Sequence, residues 1–177
     1  MHMKIRSLQS KDAAFILEWM RDPSVNIFFR MNPNTANINS IHSFIEKSNK
    51  DKVNKHLAIV DESDEYLGTV SLKNIDVEAG TGEYAIVLRS SSQGIGAGRF
   101  GTESILSIGF KELKLNRIYL NVLSENHNAI GFYDRIGFVF EGEFINHIKV
   151  NGNLKNLKWY RMMRCEYDNR KLQNDHI

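Results

Sequence analysis

Cysteine occurs once, at Cys165, and proline only twice, so the chain has no disulfide framework, no CxxC pair and no Pro-rich linker. The six histidines, His2, His42, His56, His127, His147 and His176, show neither HxxxH nor HxH spacing, which argues against a structural or catalytic zinc site. No apolar run reaches the roughly 18 residues that a spanning helix requires, and the opening MHMKIRSLQSKD contains no apolar h-region. A cytoplasmic protein without a membrane partner is expected. Charge of one sign is also missing: 23 Lys plus Arg face 21 Asp plus Glu, a net +2 with no basic block, which speaks against nucleic acid as a partner.

What is present is the composition of an ordinary folded domain, 42% hydrophobic and 25% charged in 177 residues. A domain of this size buries roughly two-thirds of its unfolded surface and needs no staple. One domain is expected over 1–168, followed by a frayed polar tail, 169–177.

The hydrophobic period then divides the chain. Residues 3–7 read as a short strand. Ser10-Lys11-Asp12 ahead of Ala14, Phe15, Ile16, Leu17, Trp19 and Met20 predicts a capped helix, ended by Pro23 and the Asn-rich stretch 32–37. A second helix is expected over about 40–48, with Ile41, Phe44 and Ile45 on one face. From His56 the period shortens to two: 56–60 and 66–72 form a hairpin about the turn 61–65, and Gly82–Leu88 is a third strand. A Gly- and Ser-rich stretch, 89–98, opens into a helix to about Leu113, whose Ile105, Leu106, Gly109 and Leu113 share a face. A strand at 117–122 and a helix over about 126–136 follow, and two last strands complete the pattern, 137–140 leading into 144–150 and then 156–164, with Asn151-Gly152-Asn153 as a hairpin turn.

A strand that stops at a glycine run leading into a helix aims several backbone N–H groups and the positive helix end at one point, where a phosphate binds. Four glycines in eight residues, Gly94, Gly96, Gly98 and Gly101, exceed what a turn needs, although a plain connection remains the alternative. Gly96-Ala97-Gly98-Arg99-Phe100-Gly101 satisfies GxGxxG, which would suggest a nicotinamide enzyme. However, about 80 residues precede it and polar residues separate it from the strand, and no Gly-Lys-Ser/Thr follows. The spacing Gln93-x-x-Gly96-x-Gly98 describes the stretch better.

That spacing resembles the acyl-CoA pyrophosphate loop of the GNAT superfamily of N-acetyltransferases. Asn126-His127-Asn128-Ala129-Ile130-Gly131-Phe132-Tyr133, continuing through Gly137-Phe138, is similar to the family's Asn-x-x-Ala-x-x-x-Tyr-x-x-x-Gly-Phe segment about 30 residues later. The likeness covers roughly residues 3–165. It implies an α+β fold: a mostly antiparallel, twisted mixed sheet flanked by helices, with two strands splayed at the acyl-CoA site. Trp19-Met20-Arg21-Asp22-Pro23, Tyr66-Leu67-Gly68 and Glu141-Gly142 resemble the branch of ribosomal-protein N-terminal and amino-sugar-nucleotide acetyltransferases.

By this resemblance the donor is acetyl-CoA and the acceptor a primary amine, with a nucleotide-linked amino sugar favoured. A protein N-terminus, a small polyamine or antibiotic amine, and a non-catalytic acyl-CoA-binding module are the alternatives, and the protein would be a monomer or homodimer. The backbone of Gln93, Gly94, Ile95, Gly96, Ala97, Gly98 and Arg99 would hold the pyrophosphate, and a backbone N–H at Val87 or Leu88 would meet the oxyanion. The Arg99 and Arg89 side chains could add charge to the phosphates or be ordinary solvated groups. Tyr133 would protonate the departing thiolate, as a phenol neutral at pH 7 can, or would be a core tyrosine. Asn126 would cap its helix and could also orient the cofactor. Glu83 would take the amine proton through water, or would be an exposed strand carboxylate. Trp19, Phe28, Phe29 and Phe44 could line the acceptor pocket or belong to the core, and Cys165 reads as a packed thiol.

Overall fold

The computed structural model describes residues 2–29 and 35–174 of the chain. Seven strands, β1 (Lys4–Ser7), β2 (Lys55–Val60), β3 (Tyr66–Asp76), β4 (Thr81–Leu88), β5 (Arg117–Leu123), β6 (Val139–Val150) and β7 (Asn153–Met163), are hydrogen-bonded in the order β1-β2-β3-β4-β5-β7-β6. Among the described residues six α-helices accompany them: α1 (Ala13–Arg21), α2 (Pro23–Asn26), α3 (Ile38–Ser48), α4 (Ala97–Ser107), α5 (His127–Ile136) and α6 (Arg164–Asn174). The pairs β1–β2, β2–β3, β5–β7 and β6–β7 are antiparallel and β4–β5 is parallel, giving the mixed and mostly antiparallel α+β architecture expected. By its contacts the chain forms two compact units, Met1–Asn74 with Tyr84–Ile105, and Ile75–Glu83 with Leu106–Ile177.

In the first unit, Leu8, Ala13, Ile16, Ile41, Ile45, Ala58, Val60 and Tyr66 form a buried cluster to which α1, α3, β2 and β3 all contribute. The stretch Ser10-Lys11-Asp12 expected to precede a capped helix is itself a 3-10 turn ahead of α1. Gln9 and Asp12 form a capping box around a single 3-10 turn, and the buried Asp12 carboxylate accepts from the Gln9 N–H at 2.8 Å and from both Arg6 Nη atoms at 2.7 and 2.9 Å. Pro23 does not merely end a helix. Its fixed φ and missing N–H suit the first position of α2, which Asp22 caps through the Ser24 N–H. The expected stop at 32–34 lies outside the described residues. Asn37 caps α3 two residues earlier than the apolar spacing suggested.

In the second unit, the β4–β5 ladder runs over three pairs only, from Thr81↔Arg117 to Glu83↔Tyr119. The helix expected to reach Leu113 changes character after α4: Ile108–Glu112 is one π-helical turn, with the Leu113 N–H donating to Ile108 O at 2.9 Å. Asn151 and Gly152 both take positive φ, 49° and 82°, so the hairpin turn is a two-residue one and Asn153 already belongs to β7. β6 runs from Val139 to Val150 with two bulges, so 137–140 does lead into 144–150.

The part of the expected tail that is described, 169–174, is helical rather than frayed. α6 runs to Asn174, and ahead of that stretch Tyr167 is buried 5.0 Å from the Phe110 ring and the Arg164 Nε donates to Leu115 O at 2.8 Å. A mean polarity that reads as a tail conceals a single aromatic anchor, Tyr167, in the eleven residues of the helix. Cys165 sits at the start of this helix and is exposed, so it is not a packed thiol.

Candidate active site

The glycine loop lies in the first unit. β4 ends at Leu88, a 3-10 turn occupies Ser90–Ser92, and α4 begins at Ala97. Gly94 and Gly96 have φ of 78° and 89°, a left-handed geometry that non-glycine residues rarely accept, and open space surrounds both. The first helical rung is the Phe100 N–H to Gly96 O at 3.0 Å. The N–H groups of Ala97, Gly98 and Arg99 therefore precede the ladder and are available to an anion at the positive end of an eleven-residue helix. Gln93, Gly94, Ile95, Gly96 and Arg99 are exposed and Ala97 is buried, so the loop offers its backbone outward while its helix is anchored inward.

Arg89 is committed elsewhere. Its guanidinium donates to Glu18 at 3.0 Å, to Glu65 at 2.7 Å and to Tyr66 O at 3.1 Å, and it lies 4.4 Å from the centre of the Phe15 ring. Its role is to tie α1 to the ends of β3 and β4 rather than to hold phosphate.

Along β3 and β4 the strands approach closely. A Cβ at Gly68 would stand 2.4 Å from Val87 O and 2.7 Å from Leu88 Cδ2, so only glycine lets the chain pass here. Beside this crossing is a cavity of about 290 Å³, lined by Trp19, Phe29, Thr69, Ser71 and the β4 residues Ala85, Ile86 and Val87. The Trp19 Nε1 donates to Tyr66 OH at 3.2 Å, and Tyr66 OH lies 2.6 Å from Thr69 Oγ1. Burial keeps the Tyr66 phenol protonated well beyond its ordinary range, against the opposing pull of its hydrogen bonds with Thr69 and Trp19. Ser71 Oγ lies 2.8 Å from His56 Nδ1. Of the four aromatic residues considered from the sequence, Trp19 and Phe29 line the cavity, whereas Phe44 is exposed and packs edge-on against His56. The hydroxyls escaped sequence reasoning, although their signal was present: Thr69 and Ser71 alternate with Val70 and Leu72, so one face of an otherwise apolar strand is polar.

The remaining candidates belong to the second unit. Asn126 caps α5, its Oδ1 accepting from the Ala129 N–H at 3.2 Å. Tyr133, seven residues on, is buried edge-on to the rings of Phe132 and Phe138 at 5.6 and 5.9 Å. Burial pushes its phenol up to about 12. Gly137, at φ 97°, ends the helix by donating to Tyr133 O and Asp134 O, both at 3.1 Å, which fixes the turn that carries the tyrosine. Glu83 is half-buried on β4, opposite Tyr119, and its Oε1 accepts from Asn121 Nδ2 at 3.2 Å. It is not an exposed strand carboxylate.

Among the described residues no cluster of three or more His, Cys, Asp or Glu side chains could hold a metal ion, and no helix is long and apolar enough to cross a membrane.

Residues 5–163 match the acetyltransferase (GNAT) domain family. The chain is 28% identical over 161 residues to a spermidine N(1)-acetyltransferase of Escherichia coli K12, covering 87% of this chain and 82% of that one. It is 27% identical over 169 residues to the uncharacterized N-acetyltransferase p20 of Bacillus licheniformis, covering 93% and 94%. The crystal structure of Vibrio cholerae spermidine N-acetyltransferase in complex with CoA and spermine shares the fold with a TM-score of 0.85, at 24% identity and over 93% and 97% of the two chains. The nicotinamide reading of Gly96–Gly101 falls with these matches, and a family match running almost the whole length answers the remaining question: the chain belongs to the GNAT acetyltransferases and is an N-acetyltransferase that draws its acetyl group from acetyl-CoA.

Proposed function

We propose that this enzyme acetylates a primary amine of a small alkyl polyamine of the spermidine class, by direct transfer within a ternary complex. The cavity beside Gly68 is the observation that carries this reading. Its aromatic and aliphatic walls, Trp19, Phe29, Ala85, Ile86 and Val87, suit methylene groups, and an apolar wall disfavours the ammonium form of the reacting amine, which must be neutral to attack. The names of two of the relatives point the same way.

In the transfer the remaining residues take these roles. Backbone N–H groups from Gln93 to Arg99 hold the pyrophosphate of the donor. An N–H at Val87 or Leu88 meets the carbonyl oxygen as negative charge develops on it. Tyr133, protonated up to about 12, gives its proton to the departing thiolate sulfur. Asn126 holds the first turn of the helix that presents Tyr133. Glu83, the expected base, is not among the residues that line the cavity, and its carboxylate is engaged by Asn121.

One observation favours a second acceptor. Among the described residues no carboxylate lines the cavity to hold a second ammonium, while its aromatic faces and the hydroxyls of Thr69 and Ser71 suit a sugar ring. The test is therefore a side-by-side assay of spermidine, a nucleotide-linked amino sugar and a ribosomal-protein N-terminal peptide with acetyl-CoA, the products being read by mass. A highest kcat/KM for spermidine is the expected result. Preference for the amino sugar or the peptide replaces the acceptor, and a thermal shift with acetyl-CoA without any product makes the chain a binding module.

A further inference from the structure

The cavity wall carries a titratable pair that none of these roles uses. His56 on β2 and Ser71 on β3 stand directly opposite each other in the antiparallel register, with Nδ1 and Oγ 2.8 Å apart, and Ser71 is a lining residue of the cavity while His56 is one residue removed from it. We infer that His56, acting through Ser71, accepts the proton given up by the acceptor amine. The inference rests on the reading that an amine occupies this cavity.

The relay balances as two proton movements. Ser71 Oγ takes a proton from the amine nitrogen as its own hydroxyl proton passes to His56 Nδ1. The nitrogen keeps its electron pair for the thioester carbonyl, and a neutral imidazole becomes imidazolium, which half-buried His56 returns to solvent. The step uses the tautomer protonated on Nε2, in which Nδ1 accepts from Ser71.

The surroundings of His56 fit an acceptor of protons. Facing it are Ser71 and Lys73 from β3, Asp51 from the turn before β2, and the Phe44 ring from α3, centred 5.1 Å away. Burial first, and Lys73 second, hold its imidazolium below the ordinary range, with Asp51 opposing them, so the ring is neutral at pH 7. His56 is a positioning residue by this account, and Ser71 is the group that touches the amine.

The test compares the full-length wild type with His56→Asn, whose amide oxygen keeps the bond to Ser71 but takes no proton, and with Ser71→Ala. At saturating acetyl-CoA, kcat/KM for spermidine is measured from pH 6 to 9. The wild type is expected to reach a plateau above pH 7. Both variants should lose at least about tenfold at pH 7 and then climb about tenfold per pH unit, because only amine already neutral in solution reacts. A variant that keeps the plateau, whatever its absolute rate, overturns the inference, as does a sloping profile produced by Glu83→Gln instead. Should the wild type leave spermidine unacetylated, the acceptor reading fails on its own, and a second readout judges the relay. Millimolar propylamine should shift the His56 imidazole NMR signal and its titration midpoint in the wild type but not in Ser71→Ala, and an unmoved wild-type signal overturns it.

Discussion

The Tyr84 hydroxyl lies 2.8 Å from Thr102 Oγ1, and Thr102 Oγ1 in turn donates to Gly98 O at 2.7 Å. Both side chains are buried, and together they fasten the first turn of α4, which holds the donor loop, to strand β4. Thr102→Val keeps the shape but removes the acceptor from a buried phenol, so it should cost about 1–3 kcal/mol. It should also weaken acetyl-CoA binding, because the helix start is no longer pinned. Tyr84→Phe removes only one partner and leaves the bond to Gly98, so its effect on both should be smaller. Thermal melts with and without acetyl-CoA give the two quantities, and equal losses for the two variants would show that the pair is not a pin.

Gly101 is glycine for a different reason from Gly94 and Gly96. A Cβ there would stand 2.3 Å from Ile59 Cδ1 and 2.9 Å from Ile59 Cγ1, in a fully buried contact between α4 and β2. Gly101→Ala should cost about 1–3 kcal/mol as an overpacked site. Combining it with Ile59→Val, which deletes the nearer atom, should recover part of that loss, a coupling that a double-mutant cycle measures. Strict additivity would mean that the strain is relieved elsewhere.

These two contacts show what was and was not legible in the sequence. The strands, the glycine loop and the Asn126–Phe138 segment were legible because each is local: a period of two, a glycine run, a cap followed by an apolar stripe. Tyr84 with Thr102, Gly101 with Ile59, and His56 with Ser71 are separated by 18, 42 and 15 residues, and nothing in either partner's local pattern names the other. The polar stretch 169–174 was misread for the same reason: it continues a helix anchored upstream by Tyr167 meeting Phe110 and by Arg164 meeting Leu115 O, long-range contacts that a polar local composition cannot show.

Asp64 gives the stability of the first unit an acid-sensitive component. The Arg6 Nε at 2.7 Å, and then Lys11, hold its carboxyl down to about 2 from the ordinary 3.8. A folded-state value below the unfolded one means that the contribution is complete above about pH 4 and fades as pH falls towards 2. The melting difference between the wild type and Asp64→Asn should therefore hold steady from pH 7 to 5 and vanish near pH 2. A difference that persists at pH 2 would assign the effect to packing rather than charge.

Tyr133→Phe removes one oxygen and preserves the ring contacts with Phe132 and Phe138, which isolates the role of the proton. The expected result is a fall in kcat of about 10²-fold or more with the Kd for acetyl-CoA unchanged. The loss should shrink with an acetyl thioester whose thiol leaves readily as an anion, since that donor needs no proton from the enzyme. Because burial places the folded-state phenol near 12, Tyr133 stays protonated across the working range, and an alkaline fall in kcat below pH 10 must come from another group. The same shift makes the wild type lose stability between about pH 10 and 12 relative to Tyr133→Phe, as the unfolded chain ionises first. Unchanged turnover in Tyr133→Phe would leave the tyrosine as a core residue and require the thiolate to depart unprotonated or to be met by a different donor.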